Sequence, residues 1–325
     1  MGGDKMYHIG IDLGGTNIKV GIVDNMYNLV TSANCKTALP RSAEAVCDDI
    51  VFTIYNTLEK ASIAFSQIKD IGIGCPGSVN TTTGIVKYSC NLDWHDFSLQ
   101  KYISQKFNDK LPVYIANDAN AAALGEYFAG SAKGTKSAVV ITLGTGIGAG
   151  VIIDGKILTG SYYCGAEIGH MVIEHRGKPC TCGRLGCWET YASAVGLINL
   201  TKDKMRISPN SLMWKIAGDI DGVRGTTAFK AKAQYDEGGT CVVEQYIEYL
   251  ACGITNIVNI LQPDVISIGG GVSREGDNLI VPLREIVMRN AYGSPTSNTE
   301  LRICTLGNNA GMIGSALLGE NASLN

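Results

Sequence analysis

The chain has 325 residues, 45% hydrophobic and 18% charged, with a net charge of −3. That length exceeds one comfortable core and suits two lobes of a soluble globular protein. No Lys/Arg-rich tail is present, which argues against nucleic acid or an anionic membrane surface as the main partner.

The opening MGGDKMYHIGIDLGG has neither a long apolar core nor a small-residue cleavage site, so no secretory signal is expected. The uncharged run of residues 137–153 is short for a membrane span and broken by glycines, and reads as strand, loop, strand. Eleven cysteines without a leader imply a reducing compartment, and a cytoplasmic location is expected. Forty glycines fall largely in short runs after apolar stretches, which reads as tight turns close to a ligand.

In chain order, residues 7–13 and 18–24 read as strands joined by the turn GGTN, with a third strand around 29–35. From Ala43 to Ala61, Val46, Ile50, Ile54 and Leu58 recur at helical spacing. KDIGIGCPG is a short strand running into a Pro-Gly turn, and residues 111–117 form another strand. Asp118 then reads as the N-cap of a helix through Ala129, terminated by Gly130. Residues 196–240 read as short helices in a polar insertion, and from Val243 the positions Ile247, Leu250, Ile254, Ile257 and Leu261 trace a long buried helix. DVISIGGG reads as a strand and NNAGMIGSALLG as a C-terminal helix.

A shift of 130 positions aligns Leu13 with Leu143, Gly14 with Gly144, Ile22 with Ile152 and Asp24 with Asp154. The whole strand, glycine-turn, strand pattern returns with them, which indicates a duplicated α/β lobe.

Several segments carry chemistry. In DLGGTNIK, residues 12–19, a strand ending in Asp followed by Gly-Gly lets backbone N–H groups approach phosphate oxygens, with Asp12 beside them to orient Mg²⁺. It is not a GxxxxGK[ST] loop, and Lys19 is not placed as a Walker lysine. TLGTGIGAG at 142–150 repeats the device, so two loops, one per lobe, can grip a triphosphate; Gly269, Gly270 and Gly271 after a strand offer close backbone approach to an adenine ring. Asn117 and Asp118 stand at a strand–helix junction, where Asp118 is either a cap or a carboxylate that deprotonates an attacking hydroxyl. Cys180, Cys182 and Cys187 lie within eight residues, with Gly183 and Gly186 allowing the chain to curl around an ion. Structural Zn²⁺ takes four thiolate or imidazole ligands, and His170 or His175 can supply the fourth. The other cysteines (Cys35, Cys47, Cys75, Cys90, Cys164, Cys241, Cys252 and Cys304) are scattered and read as small buried hydrophobes. Trp94 and Trp188 read as packing rather than stacking platforms.

DLGGTNIK, GIGCPG, NDANAAALGE, TLGTGIGAG, GAEIGH and CTCGRLGCWE occur in the order and spacing of ROK-family kinases, and the chain most resembles the bacterial glucokinases of that family from about Ile9 to Ala316. The resemblance implies an α/β fold of the actin-like ATPase (ribonuclease H-like) type, duplicated, with two lobes around a cleft. The expected lobes are residues 1–117 plus 305–325, and 118–304 with the metal motif. It implies ATP and Mg²⁺ as the phosphoryl donor, held by Asp12, Gly14, Gly15, Thr16, Asn17 and Lys19, by Thr142, Gly144, Thr145 and Gly146, and by Gly270 and Gly271. Asp118 is implied as the catalytic base. Gly77, Asn91, Asn117, Glu167, His170 and Glu189 are implied, with Asp118, to hold the sugar. His170 is favoured over His175 as the fourth ligand of a structural zinc.

The implied reaction is phosphorylation of a hexose at its 6-hydroxyl, glucose first, in a homodimer or homotetramer. N-acetylmannosamine or N-acetylglucosamine kinase activity is the alternative, with fructose or allose as further substrates. ROK repressors carry a helix-turn-helix ahead of DLGGT, whereas eleven residues precede Asp12 here, so a non-catalytic sugar-binding regulator is the weaker reading.

Overall fold

The computed structural model describes residues 5–293 and 298–322. The first expected elements appear as strands β1 (Tyr7–Leu13), β2 (Asn17–Asp24) and β3 (Leu29–Lys36), followed by helix α1 (Ala43–Ala61). Ser42 caps α1 by accepting from the Ala45 N–H, and Val46, Ile50, Ile54 and Leu58 are all buried. The chain continues through β4 (Ile68–Cys75), a small sheet of β5 (Ser78–Asn80), β6 (Ile85–Ser89) and β7 (Trp94–Phe97), helix α2 (Leu99–Lys106), β8 (Val113–Asn117) and α3 (Asp118–Ala129). The order of the first sheet is β3-β2-β1-β4-β8, with β1–β2 and β2–β3 antiparallel and β1–β4 and β4–β8 parallel.

After β9 (Ala138–Leu143), β10 (Ile147–Ile153) and β11 (Lys156–Ile157) come helices α4 (Trp188–Ala192), α5 (Ala194–Ile207), α6 (Leu212–Ala217) and α7 (Thr227–Lys232). The long helix α8 (Glu237–Leu261) then leads to β12 (Val265–Gly270), α9 (Asp277–Asn290) and β13 (Glu300–Ile303). The second large sheet has the order β11-β10-β9-β12-β13, which repeats that of the first element for element. The two glycine turns therefore follow equivalent strands, β1 and β9, and the duplication read from the sequence is a repeat of topology.

Two compact units emerge: residues Met1–Val140, Gly150–Ala166 and Thr305–Asn325, and residues Ile141–Ala149 and Glu167–Cys304. Thr305–Asn325 joins the first unit, and so does the segment that follows Asn117 as far as Val140. Helix α3 stays with the first unit because it packs against helix α10 (Ala310–Ala316) through glycines: a Cβ on Gly314 would overlap the Ala121 carbonyl. Gly10 in β1 and Gly72 in β4 serve the same contact, since a Cβ on either would overlap the Met312 or Ser315 carbonyl of α10. Part of the glycine content thus brings a helix onto a sheet, rather than a ligand onto a turn. The C-terminal helix is two pieces, α10 and α11 (Leu318–Ala322), separated at the buried Leu317.

Gly130 ends α3, though not in a left-handed cap; its φ is −120°. It makes room for Glu126, whose carboxylate a Cβ there would meet. Glu126 is 1% exposed and accepts from Ser131 N at 2.8 Å, Ser131 Oγ at 2.8 Å, Thr305 N at 3.1 Å and Leu306 N at 2.8 Å. A buried carboxylate is tolerated only with such a set of donors.

In the second unit α8 buries Val243, Tyr246, Ile247, Leu250, Ile254 and Ile257 along one stripe. Each large apolar side chain so buried contributes roughly 1.5–3 kcal/mol. Trp188 is fully buried against Gly253 of α8 and donates from Nε1 to the Tyr249 carbonyl at 2.8 Å; Trp94 is buried in the first unit's core. Both are packing residues. The scattered cysteines are less uniform than expected. Cys47 and Cys75 are buried, but Cys90, Cys164, Cys241 and Cys252 are exposed. On α8, Cys241 and Cys252 fall outside the buried set.

Candidate active site and metal centre

The first glycine turn closes on itself, Gly14 N–H donating to the Asn17 carbonyl at 2.9 Å. The buried Thr37 pins it from β3's far end: its hydroxyl donates to Gly14 O at 2.6 Å and its N–H to Thr16 O at 3.0 Å. Gly15 faces Asn91, whose carbonyl oxygen would lie 3.2 Å from a Cβ at that position. Asp12 Oδ2 accepts from Lys19 Nζ at 2.7 Å across the β1–β2 pair, and Gly311 at the start of α10 lies against the same carboxylate. The turn, Asp12, Lys19 and Asn91 are therefore neighbours. Thr37 and Gly311, which hold two of them, carried no signal in the local sequence.

Asn117 and Asp118 divide their duties differently from the sequence reading. The cap of α3 is Asn117, whose Oδ1 accepts from Ala119 N at 2.9 Å and Asn120 N at 3.2 Å. Its Nδ2 donates to the Gly77 carbonyl at 3.1 Å, which ties the Pro-Gly turn to the strand–helix junction. Asp118 is the first residue inside the helix and its Oδ1 accepts from Ala119 N at 2.9 Å. Gly77 has φ +101°, and a Cβ there would overlap the Tyr88 carbonyl, so the turn admits only glycine.

In the second unit the glycine turn Gly144–Gly146 closes by Gly144 N–H donating to Gly146 O at 3.0 Å. Glu189 of α4 reaches it, accepting from Ile147 N at 2.8 Å, and a Cβ on Gly146 would overlap that carboxylate. Ala194 N donates to Gly144 O at 2.9 Å, Gly271 N donates to Leu143 O at 3.1 Å, and Gly270, at φ +89°, lies against Leu143. The second and third glycine turns and Glu189 thus form one cluster, with Thr142 Oγ1 donating to Gly148 O at 3.2 Å. Thr145 stands at its apex, between the two glycines. Glu167 is exposed at the entrance of the short turn 168–170 that delivers His170.

The donor atoms of His170, Cys180, Cys182 and Cys187 all lie within 4.8 Å of one another. His170 Nδ1 is 3.7 Å from Cys180 Sγ, and Cys182 Sγ is 3.6 Å from Cys187 Sγ. His175 is exposed and is not part of the group. The expected curl is present: Gly183 and Gly186 have φ of +86° and +79°, and a Cβ on Gly186 would overlap the Glu174 carbonyl. Burial works to raise the Cys180 thiol, but hydrogen bonds from Cys182, His170 and Cys187 outweigh it and bring it down to about 6. Burial, with Cys182 and Cys180 alongside, pushes Cys187 up to about 12. Three thiols this close cannot all ionise unless a cation joins them, and three soft sulfurs with one imidazole in this spacing fit tetrahedral zinc.

The fold is that of the actin-like ATPases, built twice over on one strand order. Residues 8–322 match the ROK family, and the chain belongs to it. It is 36% identical to a glucokinase of Halalkalibacterium halodurans over 96% of this chain and 94% of that one. It is 34% identical to a glucokinase of Thermotoga maritima, covering 96% of each. A ROK glucokinase from Streptomyces griseus, solved in complex with glucose and AMPPNP, superimposes with a TM-score of 0.78 at 32% identity, covering 96% of this chain and 98% of that one.

Proposed function

We propose that the protein transfers the γ-phosphoryl group of ATP to the 6-hydroxyl of a hexose, with glucose as the first substrate. The observation that carries this reading is the near-full-length likeness to two glucokinases and to a ROK glucokinase that holds glucose and an ATP analogue. The hydroxyl oxygen bonds to the γ-phosphorus, ADP leaves, and the hydroxyl proton passes to the Asp118 carboxylate. Asn117 supports the assignment of Asp118 as base, because it performs the helix capping that would otherwise have explained an aspartate here. Gly77, Asn91, Asn117, Glu167, His170 and Glu189 hold the sugar, carboxylates accepting from its vicinal hydroxyls.

The nucleotide-binding set is Asp12, Gly14, Gly15, Thr16, Asn17 and Lys19 with Thr142, Gly144, Thr145, Gly146, Gly270 and Gly271. Mg²⁺ beside Asp12 would neutralise charge on the β- and γ-phosphate oxygens. Zn²⁺ on His170, Cys180, Cys182 and Cys187 would serve as scaffold, fixing the segment between Glu167 and Glu189. No helix among the described residues is long and apolar enough to cross a membrane. A cytoplasmic homodimer or homotetramer is the setting this reading implies.

ADP release with ATP and Mg²⁺ across a panel of hexoses and N-acetylhexosamines tests the proposal. Glucose-dependent release with a 6-phosphate product is expected. Absence of sugar-stimulated turnover across the panel overturns it, and turnover on N-acetylmannosamine but not glucose replaces the substrate.

A further inference from the structure

The first unit contains a cavity of about 500 Å³ beside β8, the edge strand of its sheet. Ile115 and Ala116 of β8, Leu124 of α3 and Leu318 of α11 supply apolar wall, and Thr82, Gln100, Asn120, Thr159, Ser161 and Asn321 supply polar groups. None of the nucleotide, sugar or metal residues assigned above lines it.

Most of the polar lining is already engaged. Gln100 Nε2 donates to the Val113 carbonyl at 2.7 Å, and Asn321 Nδ2 donates to the Gly155 carbonyl at 3.3 Å. Thr82 Oγ1 accepts from Tyr163 Oη at 2.7 Å, which straps the segment after β11 across the cavity mouth. Asn120 is different. It is 8% exposed, and its side-chain amide makes no hydrogen bond to any described residue. A carboxamide carries two donors and a two-fold acceptor, and those that no protein group takes are available to a hydrogen-bonding occupant of the cavity. A second feature narrows the chemistry: no described residue lining the cavity is charged. An anionic or cationic occupant would find no opposite charge in the lining, so the site favours neutral molecules over phosphorylated sugars and nucleotides. Hydroxyl and amide groups over an apolar floor suit a neutral molecule that is itself both apolar-faced and rich in hydroxyls.

We propose that this cavity binds a neutral, hydroxyl-rich small molecule of mono- to disaccharide size, with Asn120 as its buried hydrogen-bonding anchor. The site has direct connections to the segments that carry the reaction. Ile115 and Ala116 run straight into Asn117 and Asp118, and the strapped segment 157–163 runs on to Glu167. The inference does not depend on the catalytic assignment, since binding here requires neither ATP nor turnover.

Calorimetric titration of the full chain with neutral monosaccharides, disaccharides and polyols, without nucleotide, provides the test. At least one compound should bind in addition to any sugar that competes with the phosphoryl acceptor. Replacing the Asn120 amide by Asn120→Leu, or filling the mouth by Ser161→Trp at an exposed position, should weaken that binding about tenfold or more, the equivalent of one lost buried hydrogen bond. Both variants should leave affinity for the phosphoryl acceptor unchanged. Ser161→Trp keeps the test decisive if Asn120→Leu does not fold. The proposal is overturned if no compound occupies a second site, if the site is indifferent to both substitutions, or if sugar phosphates occupy it as well as neutral sugars do.

Discussion

Asn117 caps the helix that Asp118 begins: the Asn117 carboxamide oxygen accepts from both Ala119 N and Asn120 N, while its nitrogen holds the Gly77 carbonyl. The two neighbours are therefore separable by mutation. Asp118→Asn keeps an oxygen for Ala119 N and leaves the cap untouched, so thermal stability and sugar affinity should change little. Loss of the proton acceptor should lower kcat by ~10²- to 10⁴-fold. Asn117→Ala should instead cost about 1 kcal/mol or more of stability, as other cap deletions do. Calorimetric sugar affinity, ADP release and urea denaturation on both variants check this. Near-wild-type turnover in Asp118→Asn would remove Asp118 as the base.

The four-donor cluster should carry close to one zinc per chain, measured by elemental analysis. Cys182→Ser should lower both zinc content and melting temperature, because a bound structural metal contributes to folding free energy directly. His170→Ala should lose the metal and His175→Ala should keep it, given that His175 stands outside the cluster. A chelator should reproduce the destabilisation of Cys182→Ser in the wild-type chain. A stable, active protein without metal would refute the assignment.

Asp236 joins two helices of the second unit. It caps α8 through Gly239 N at 2.7 Å and also accepts from Ser211 Oγ at 2.7 Å and Leu212 N at 2.9 Å at the start of α6. Burial works to raise its carboxyl, but these donors outweigh it and hold the group below the ordinary aspartate value. A depressed carboxylate stabilises the fold above its unfolded value, and that contribution is lost as pH falls through the folded one. Asp236→Ala should therefore cost about 1–2 kcal/mol near neutrality. The gap to wild type should close as pH drops below an unfolded value of about 3.9. Urea titrations at several pH values follow the gap directly; a gap that widens on acidification would contradict this account.

Apart from the repeat at a shift of 130 positions, what could be read in advance was local. Helix α1 was visible because Val46, Ile50, Ile54 and Leu58 repeat within one element, and the cysteine cluster because its three thiols and its two left-handed glycines are close in sequence. The small sheet β5–β7 and helix α2 escaped the reading because their short segments give no clear period; α9 escaped it although Leu279, Leu283 and Val287 recur at helical spacing, and Pro282 inside the helix is the contrary signal. Thr37, Gly311 and Glu126 were invisible for another reason. Each acts on a partner far along the chain, Thr37 on Gly14 and Glu126 on Thr305, and no local pattern encodes such a pairing. The cap of α3 was read at Asp118 and falls one residue earlier, at Asn117, because aspartate and asparagine are nearly equivalent as caps.

The return of residues 305–322 to the first unit has a consequence for synthesis. Gly10 and Gly72 leave bare sheet backbone for α10 to cover, and Glu126 waits for donors that Thr305 and Leu306 supply. On the ribosome, the face of that sheet which α10 covers stays bare until residues 310–316 have been made. Folding order and translation order therefore run against each other in this chain, and a product halted just before Thr305 would hold every residue of the second unit and leave the first one open.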